Sequence, residues 1–299
     1  MDEGIEPRVE GSVGVAEGRR LGFAEFGDPD GRAVVWMHGT PGARRQVPHD
    51  ARQHAADNGL RIIGIDRPGI GSSTAHLYGS VSDFSQDLEV LADRLGIDDL
   101  VLIGLSGGGP YALGAAHGLG DRVSAVGVLG GVAPTVGDDA IGGGVVALAR
   151  RFSPLVEPLR TPLGIGLTGL LRLLRPAANQ GIALYARLSP EGDRDLLNHP
   201  DFKTMFLDDL LNGSRKQLSA PLADLVLFSR HWGFELAEVE APVCWWHGDA
   251  DNIVPIEHGT HTVARLPDAE LFTLEGQSHL GGLGVGPEVL KVVLDAADT

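Results

Sequence analysis

One serine sits at the centre of Gly104-Leu105-Ser106-Gly107-Gly108, after the apolar run Leu100 to Leu105 and before a helical pattern from Gly109 to Gly118. A serine at the apex of a strand, sharp turn and helix is presented for attack on a carbonyl, so Ser106 is the candidate nucleophile. Such a turn forces the serine backbone to φ > 0, which a residue with a side chain tolerates only where its neighbours leave room. The residues two before and two after must then be small, and Gly104 and Gly108 meet that demand. Gly107 leaves its backbone N–H free to face a substrate. By itself the GxSxG pattern is loose in a chain with 43 glycines, so its surroundings must carry the reading.

A serine hydroxyl is a poor nucleophile at neutral pH and needs a base, usually a histidine oriented by a carboxylate. Of the 11 histidines, His279 stands out. It lies in Gly276-Gln277-Ser278-His279-Leu280-Gly281, a polar loop after the apolar run Leu271 to Leu274, and loops beyond strand ends are where catalytic groups sit. For the acid, Asp249 and Asp251 both follow the apolar run Val243 to Trp246, in His247-Gly248-Asp249-Ala250-Asp251-Asn252-Ile253-Val254-Pro255. Spacing alone does not separate the two.

The elements that would position these groups are legible as apolar runs. Val9 to Ala16 and Arg20 to Phe26 alternate as an antiparallel hairpin does. Ala33 to Met37, Arg61 to Ile65, Leu100 to Leu105, Val123 to Leu129 and Val243 to Trp246 are nearly continuous, the signature of strands covered on both faces in a mostly parallel sheet. Between them, Asp83 to Leu95 carries Phe84, Leu88, Leu91 and Leu95 on one helical face, with Ser82 as expected N-cap and Gly96 as C-terminal stop. This alternation predicts a doubly wound α/β sheet, in which ligands gather at the carboxyl ends of strands. Residues 134–232 break it with Leu-rich, Gly-rich and Pro-bearing segments. They are expected to form an inserted helical cap over a core of residues 1–133 and 233–299.

A formal charge of −16 disfavours a nucleic-acid partner and, by the same reasoning, an anionic membrane surface. The basic pairs Arg44-Arg45 and Arg150-Arg151 read as solvated surface without function. Cys244 is the only cysteine, which leaves no intramolecular disulfide, and it reads as a packed thiol. The acidic stretch Met1 to Glu10 lacks the basic and apolar regions of a signal peptide, so a cytoplasmic location is the default expectation. No stable membrane insertion is expected either, and oligomeric state is not legible. His38 and His247 are expected to be structural, and Trp36, Trp245 and Trp246 to be core or pocket-wall aromatics.

The chain order Ser106, Asp251, His279 resembles that of the α/β-hydrolase superfamily. His38-Gly39-Thr40-Pro41-Gly42 matches its HGxPG oxyanion loop, and Asp66-Arg67-Pro68-Gly69-Ile70-Gly71-Ser72-Ser73 matches its DxxGxGxS loop. The resemblance spans almost the whole chain. It implies an α/β-hydrolase fold, Asp251 rather than Asp249 as the acid, and an oxyanion hole of the Thr40 and Gly107 backbone N–H groups. It further implies a carboxylesterase-like serine hydrolase acting on a small-molecule substrate, without metal or organic cofactor. A serine nucleophile sets the chain apart from family members that use aspartate there. Proline iminopeptidases carry a similar HGGPG segment but usually a tryptophan where this chain has Gly107. A proline iminopeptidase-like activity, lactone hydrolysis, carbon–carbon bond hydrolysis and cofactor-free haloperoxidase chemistry remain open alternatives, as does a non-catalytic member that binds a small apolar ligand.

Overall fold

The computed structural model describes residues 6–299, the side chains of 144–150 excepted. The first five residues of the acidic N-terminal stretch and the Arg150 side chain therefore lie outside the described residues. Among the described residues, eight strands build one sheet: β1 (Val9–Gly14), β2 (Arg20–Gly27), β3 (Arg32–Met37), β4 (Leu60–Asp66), β5 (Leu100–Leu105), β6 (Val123–Leu129), β7 (Val243–Gly248) and β8 (Ala269–Leu274). Their order is β1-β2-β4-β3-β5-β6-β7-β8. The first hairpin and its β2–β4 junction are antiparallel, and every other pairing is parallel.

The helices are α1 (His49–Asp57), α2 (Phe84–Leu95), α3 (Gly108–Leu119), α4 (Gly144–Leu174), α5 (Ala178–Leu188), α6 (Glu191–Asn198), α7 (Pro200–Gly213), α8 (Ala220–Phe228), α9 (Glu257–Val263) and α10 (Gly286–Ala297). Successive strand residues point to opposite faces, and here both faces are covered. Val35 and Met37 of β3 join Phe84 and Leu88 of α2 in one core cluster. Val34 and Trp36 join Ala51 of α1 and Val289 of α10 in another. This two-sided burial is why the parallel strands read as unbroken apolar runs. Trp36, Trp245 and Trp246 are all core residues, and Cys244 on β7 is buried, which pushes its thiol up to about 11.

Gly96 ends α2 in the left-handed conformation at φ 67°, as its position after Leu95 predicts. Ser82 does not cap the other end. Asp83 occupies that place with helical backbone angles, and the Ser82 hydroxyl lies 3.0 Å from that of Ser80 instead. The α4 to α8 insertion lies between β6 and β7, and Pro154, Pro158 and Pro162 sit inside α4 on its exposed side.

Two glycines separate close packing from backbone freedom. A Cβ at Gly108 would lie 2.4 Å from the Met37 carbonyl oxygen, whereas one at Gly166 in α4 would meet nothing within 4 Å. Gly108→Ala should therefore lower stability by about 1–3 kcal/mol or more through forced backbone shifts. Gly166→Ala should raise it by up to about 1 kcal/mol through helix propensity. Thermal melts of both variants check the pair, and equal effects would contradict the packing.

Candidate active site

Ser106 has φ 49°, the positive angle its place between β5 and α3 requires. The flanking glycines make the turn possible. A Cβ at Gly104 would come within 2.5 Å of the Gly108 carbonyl oxygen, and one at Gly107 within 2.5 Å of Thr40 Oγ1. The turn is thus pressed against the end of β3, which brings the His38 to Gly42 loop beside the serine. The Ser106 backbone N–H donates to Leu129 O at 2.7 Å and ties the turn to β6.

The structure brings Ser106, His279 and Asp251 together from three strand ends. Ser106 Oγ lies 2.9 Å from His279 Nε2, and His279 Nδ1 lies 2.7 Å from Asp251 Oδ2. With Nδ1–H donating to the carboxylate, Nε2 is left to accept the serine proton. The other Asp251 oxygen accepts the backbone N–H groups of Ile253 at 2.8 Å and Val254 at 2.9 Å. Burial acts to raise the pKa of Asp251. Hydrogen bonds from His247 and His279, with the Val254 N–H, outweigh it and hold the carboxyl well below the usual carboxylate range. Asp249 is exposed and accepts the Gly276 N–H at 2.7 Å, while the carboxylate that meets His279 is that of Asp251. Geometry thereby separates two aspartates that spacing left equivalent.

His38 and His247 are held inside the structure. His38 Nδ1 donates to Gly39 O at 2.7 Å while Nε2 accepts the Arg67 N–H at 3.1 Å. Burial and the Arg67 charge lower its pKa, so the ring is neutral. His247 accepts from Trp245 Nε1 at 3.1 Å and donates from Nε2 to Val254 O at 2.8 Å, which steadies the loop carrying Asp251.

Sequence reasoning missed a set of buried polar residues that hold the loops. Arg67, 1% exposed, donates to Gly39 O at 2.9 Å, to Thr40 Oγ1 at 2.7 Å and to Gly107 O. Its partner is Asp224 of α8, 3.2 Å away, which also accepts from Thr40 Oγ1 and from the Tyr111 hydroxyl, each at 2.8 Å. The Thr40 side chain therefore has a role that the expectation based on its backbone alone did not include. Asp209 of α7 accepts the N–H groups of Ala43 at 2.8 Å and Arg45 at 3.0 Å. Asp193 of α6 accepts the Leu280 N–H at 2.9 Å, next to His279. An acid on an otherwise apolar helix, as in Pro221-Leu222-Ala223-Asp224-Leu225-Val226, was the available signal.

Arg44 and Arg45 also depart from the expected solvated surface. Arg44 pairs with Glu10 at 2.8 Å and with Asp66 at 2.5 Å, and Arg45 pairs with Glu10 at 2.8 Å and Asp208 at 2.9 Å. Both side chains are less than a fifth exposed, because acids remote in sequence converge on the loop after β3.

Over Ser106 and His279 lies a cavity of about 660 Å³. Leu171, Leu174, Ile182, Leu184, Phe206 and Leu210 of the insertion give it an apolar wall. Among the described residues, the lining includes no aspartate or glutamate, and Arg175 is its only arginine or lysine. The arrangement can bring a nucleophile, a base and a loop of backbone N–H groups to one end of an apolar chamber.

Residues 32–283 match the alpha/beta hydrolase fold family. Over 131 residues the chain is 31% identical to a proline iminopeptidase from Arabidopsis thaliana, covering 43% of this chain and 34% of that protein. It thus spans about a third of that relative's length. Over 274 residues it is 27% identical to a 2-hydroxy-6-oxo-6-phenylhexa-2,4-dienoate hydrolase from Burkholderia cepacia, covering 83% of this chain and 82% of that protein. A bromoperoxidase structure from Bacillus anthracis aligns with a TM-score of 0.69 at 22% identity, over 96% of this chain and 100% of that one. At that identity the likeness is one of fold.

Burial pushes the Asp209 carboxyl up to about 7, from an ordinary value near 4. A raised folded-state pKa contributes stability that is complete below about pH 4 and is lost as pH rises through about 7. Asp209→Asn removes the titration. The stability gap between wild type and Asp209→Asn should therefore narrow as pH rises from about 4 to about 8, read by melting temperatures. A constant gap would contradict the assignment.

Proposed function

The chain belongs to the alpha/beta hydrolase fold family, and from that premise we propose that it is a serine hydrolase of small carboxylic esters working through an acyl-enzyme. The observation that supports this most is the continuous relay from Ser106 Oγ through His279 to Asp251, at 2.9 and 2.7 Å, beneath an apolar cavity. In this reading His279 Nε2 takes the Ser106 proton as Oγ attacks the carbonyl carbon. The tetrahedral intermediate then expels the alcohol, which leaves with the proton from His279. His279 next deprotonates a water that attacks the acyl-serine, and the acid departs as Ser106 recovers its proton.

Asp251 holds the imidazole in the Nδ1–H tautomer and stabilises its charged form. The Thr40 and Gly107 backbone N–H groups serve as the oxyanion hole, each contributing on the order of 3 kcal/mol in the transition state. Arg67 and Asp224 keep those donors in place. The catalytic core is residues 1–133 and 233–299, and residues 134–232 are the cap that shapes the chamber.

An ester suits the chamber better than an aminoacyl amide. A substrate ammonium would enter an apolar space whose described lining offers no carboxylate, and an unpaired buried charge costs several kcal/mol. A second reading is carbon–carbon bond hydrolysis of a keto-acid, favoured by Arg175 in the lining and by the similarity to the Burkholderia cepacia dienoate hydrolase over most of both chains.

The test is a panel of acyl esters, lactones, vinylogous keto-acids and aminoacyl amides, run with wild type and Ser106→Ala. Esters should lead, and Ser106→Ala should lower kcat by on the order of a millionfold. Faster turnover of proline amides would overturn the ester assignment. A lead by keto-acids would select the second reading, and turnover unaffected by Ser106→Ala would overturn the nucleophile.

A further inference from the structure

The outer face of α4 and α5 is the most apolar exposed surface described. Phe152, Leu155, Leu159, Leu163, Leu170 and Leu173 recur at spacings of three, four and seven residues, which places them on one side of a helix. All are exposed, Leu155 by 65% and Leu173 by 76%, and Leu188 at the end of α5 by 79%. The opposite side of α4 is engaged, since Ser153, Gly164 and Thr168 are buried and Thr168 accepts the Leu218 N–H before α8. A stripe of this size presented to water marks a surface that something covers.

Charge says what covers it. From Gly144 to Leu188 the sequence holds six arginines and one acid, Glu157, in a chain of net charge −16. Glu157 is paired with Arg230 at 2.6 Å. Arg172 donates to the carbonyl oxygens of Arg215 and Lys216 at 3.0 and 3.1 Å, so three cations gather beside α4 without a carboxylate in that contact. A second cavity, of about 480 Å³, is lined by Arg160, Arg172, Lys216 and His76, with no acid among its described lining. A second copy of the chain meeting this face about a twofold axis would set the same positive surfaces against each other. An anionic surface with an apolar interior answers both features.

We propose that the α4–α5 face docks on an anionic lipid bilayer, lying in its interface with the leucine stripe among the acyl chains and Arg160, Arg172 and Lys216 among the headgroups. No helix among the described residues is long and apolar enough to cross a membrane, which accords with a helix that lies on it. The net charge pointed away from anionic membranes only because the acids are elsewhere in the chain. Leu174 and Leu184 line the chamber above Ser106 and are also about half exposed, so the docked face continues into the chamber wall.

Co-sedimentation with equimolar phosphatidylglycerol–phosphatidylcholine vesicles, against pure phosphatidylcholine, tests this. Wild type should pellet with the first at low salt, be released by high salt, and stay in solution with the second. Leu159→Ser/Leu163→Ser should lower the bound fraction at least about tenfold while leaving melting temperature and hydrolysis of a water-soluble ester unchanged. Ser106→Ala should pellet like wild type, so vesicle binding is read independently of the chemistry. Failure of wild type to pellet, or equal binding by the double variant, would overturn the proposal. So would a wild-type dimer that the double variant converts to monomer without vesicle binding.

Discussion

The turn that holds Ser106 at φ 49° is the constraint around which the site is built. It exists because Gly104 and Gly108 carry no Cβ where carbonyl oxygens stand 2.5 and 2.4 Å away, and because Gly107 cedes its Cβ position to Thr40 Oγ1. Those contacts press α3 onto the end of β3 and set the His38 to Gly42 loop against the serine. Nothing local would keep a side chain-bearing residue in that conformation, which is sparsely populated and costs on the order of 1–3 kcal/mol. The two-sided core of the parallel sheet supplies the rigidity.

The insertion is joined to this turn by polar contacts as well as apolar ones. Three of its helices each send one buried carboxylate to a loop of the core: Asp193 to the loop of His279, Asp209 to Ala43 and Arg45, and Asp224 to Thr40 and Arg67. Buried carboxylates hold position only when their acceptor oxygens are satisfied, and each of these receives N–H or O–H donors. Helices that roof an apolar chamber thus also set the placement of the groups beneath it. A change in the insertion can then reach the chemistry through these contacts as well as through the shape of the chamber.

Strands β3 to β7 were legible because they are buried on both faces, whereas the edge strand β8 has no fully buried residue. Ser106 and His279 were legible because each follows a strand end, but Asp251 was set apart from Asp249 only by the family resemblance. What stayed hidden depends on contacts across long stretches of chain. Arg67 and Asp224 lie 157 residues apart in sequence, across β5, β6 and most of the insertion, so no local pattern pairs them, although Asp224 stands out on an apolar helix. Arg44 and Arg45 read as surface because Glu10, Asp66 and Asp208 approach them only in the fold. Ser82 has the composition of a cap, yet its hydroxyl is taken by Ser80. The positive face of the insertion was masked for a simpler reason: a net charge of −16 averages it away.

Ser106 acts as a nucleophile only if His279 removes its proton. The most direct measurement of this is the mass of intact protein and of the Ser106-containing peptide after exposure to a fluorophosphonate, for wild type and His279→Ala. Addition at Ser106 should be stoichiometric in wild type, and labelling should slow by orders of magnitude when the base is removed. An unmodified wild-type peptide, or labelling at the same rate without His279, would contradict this mechanism.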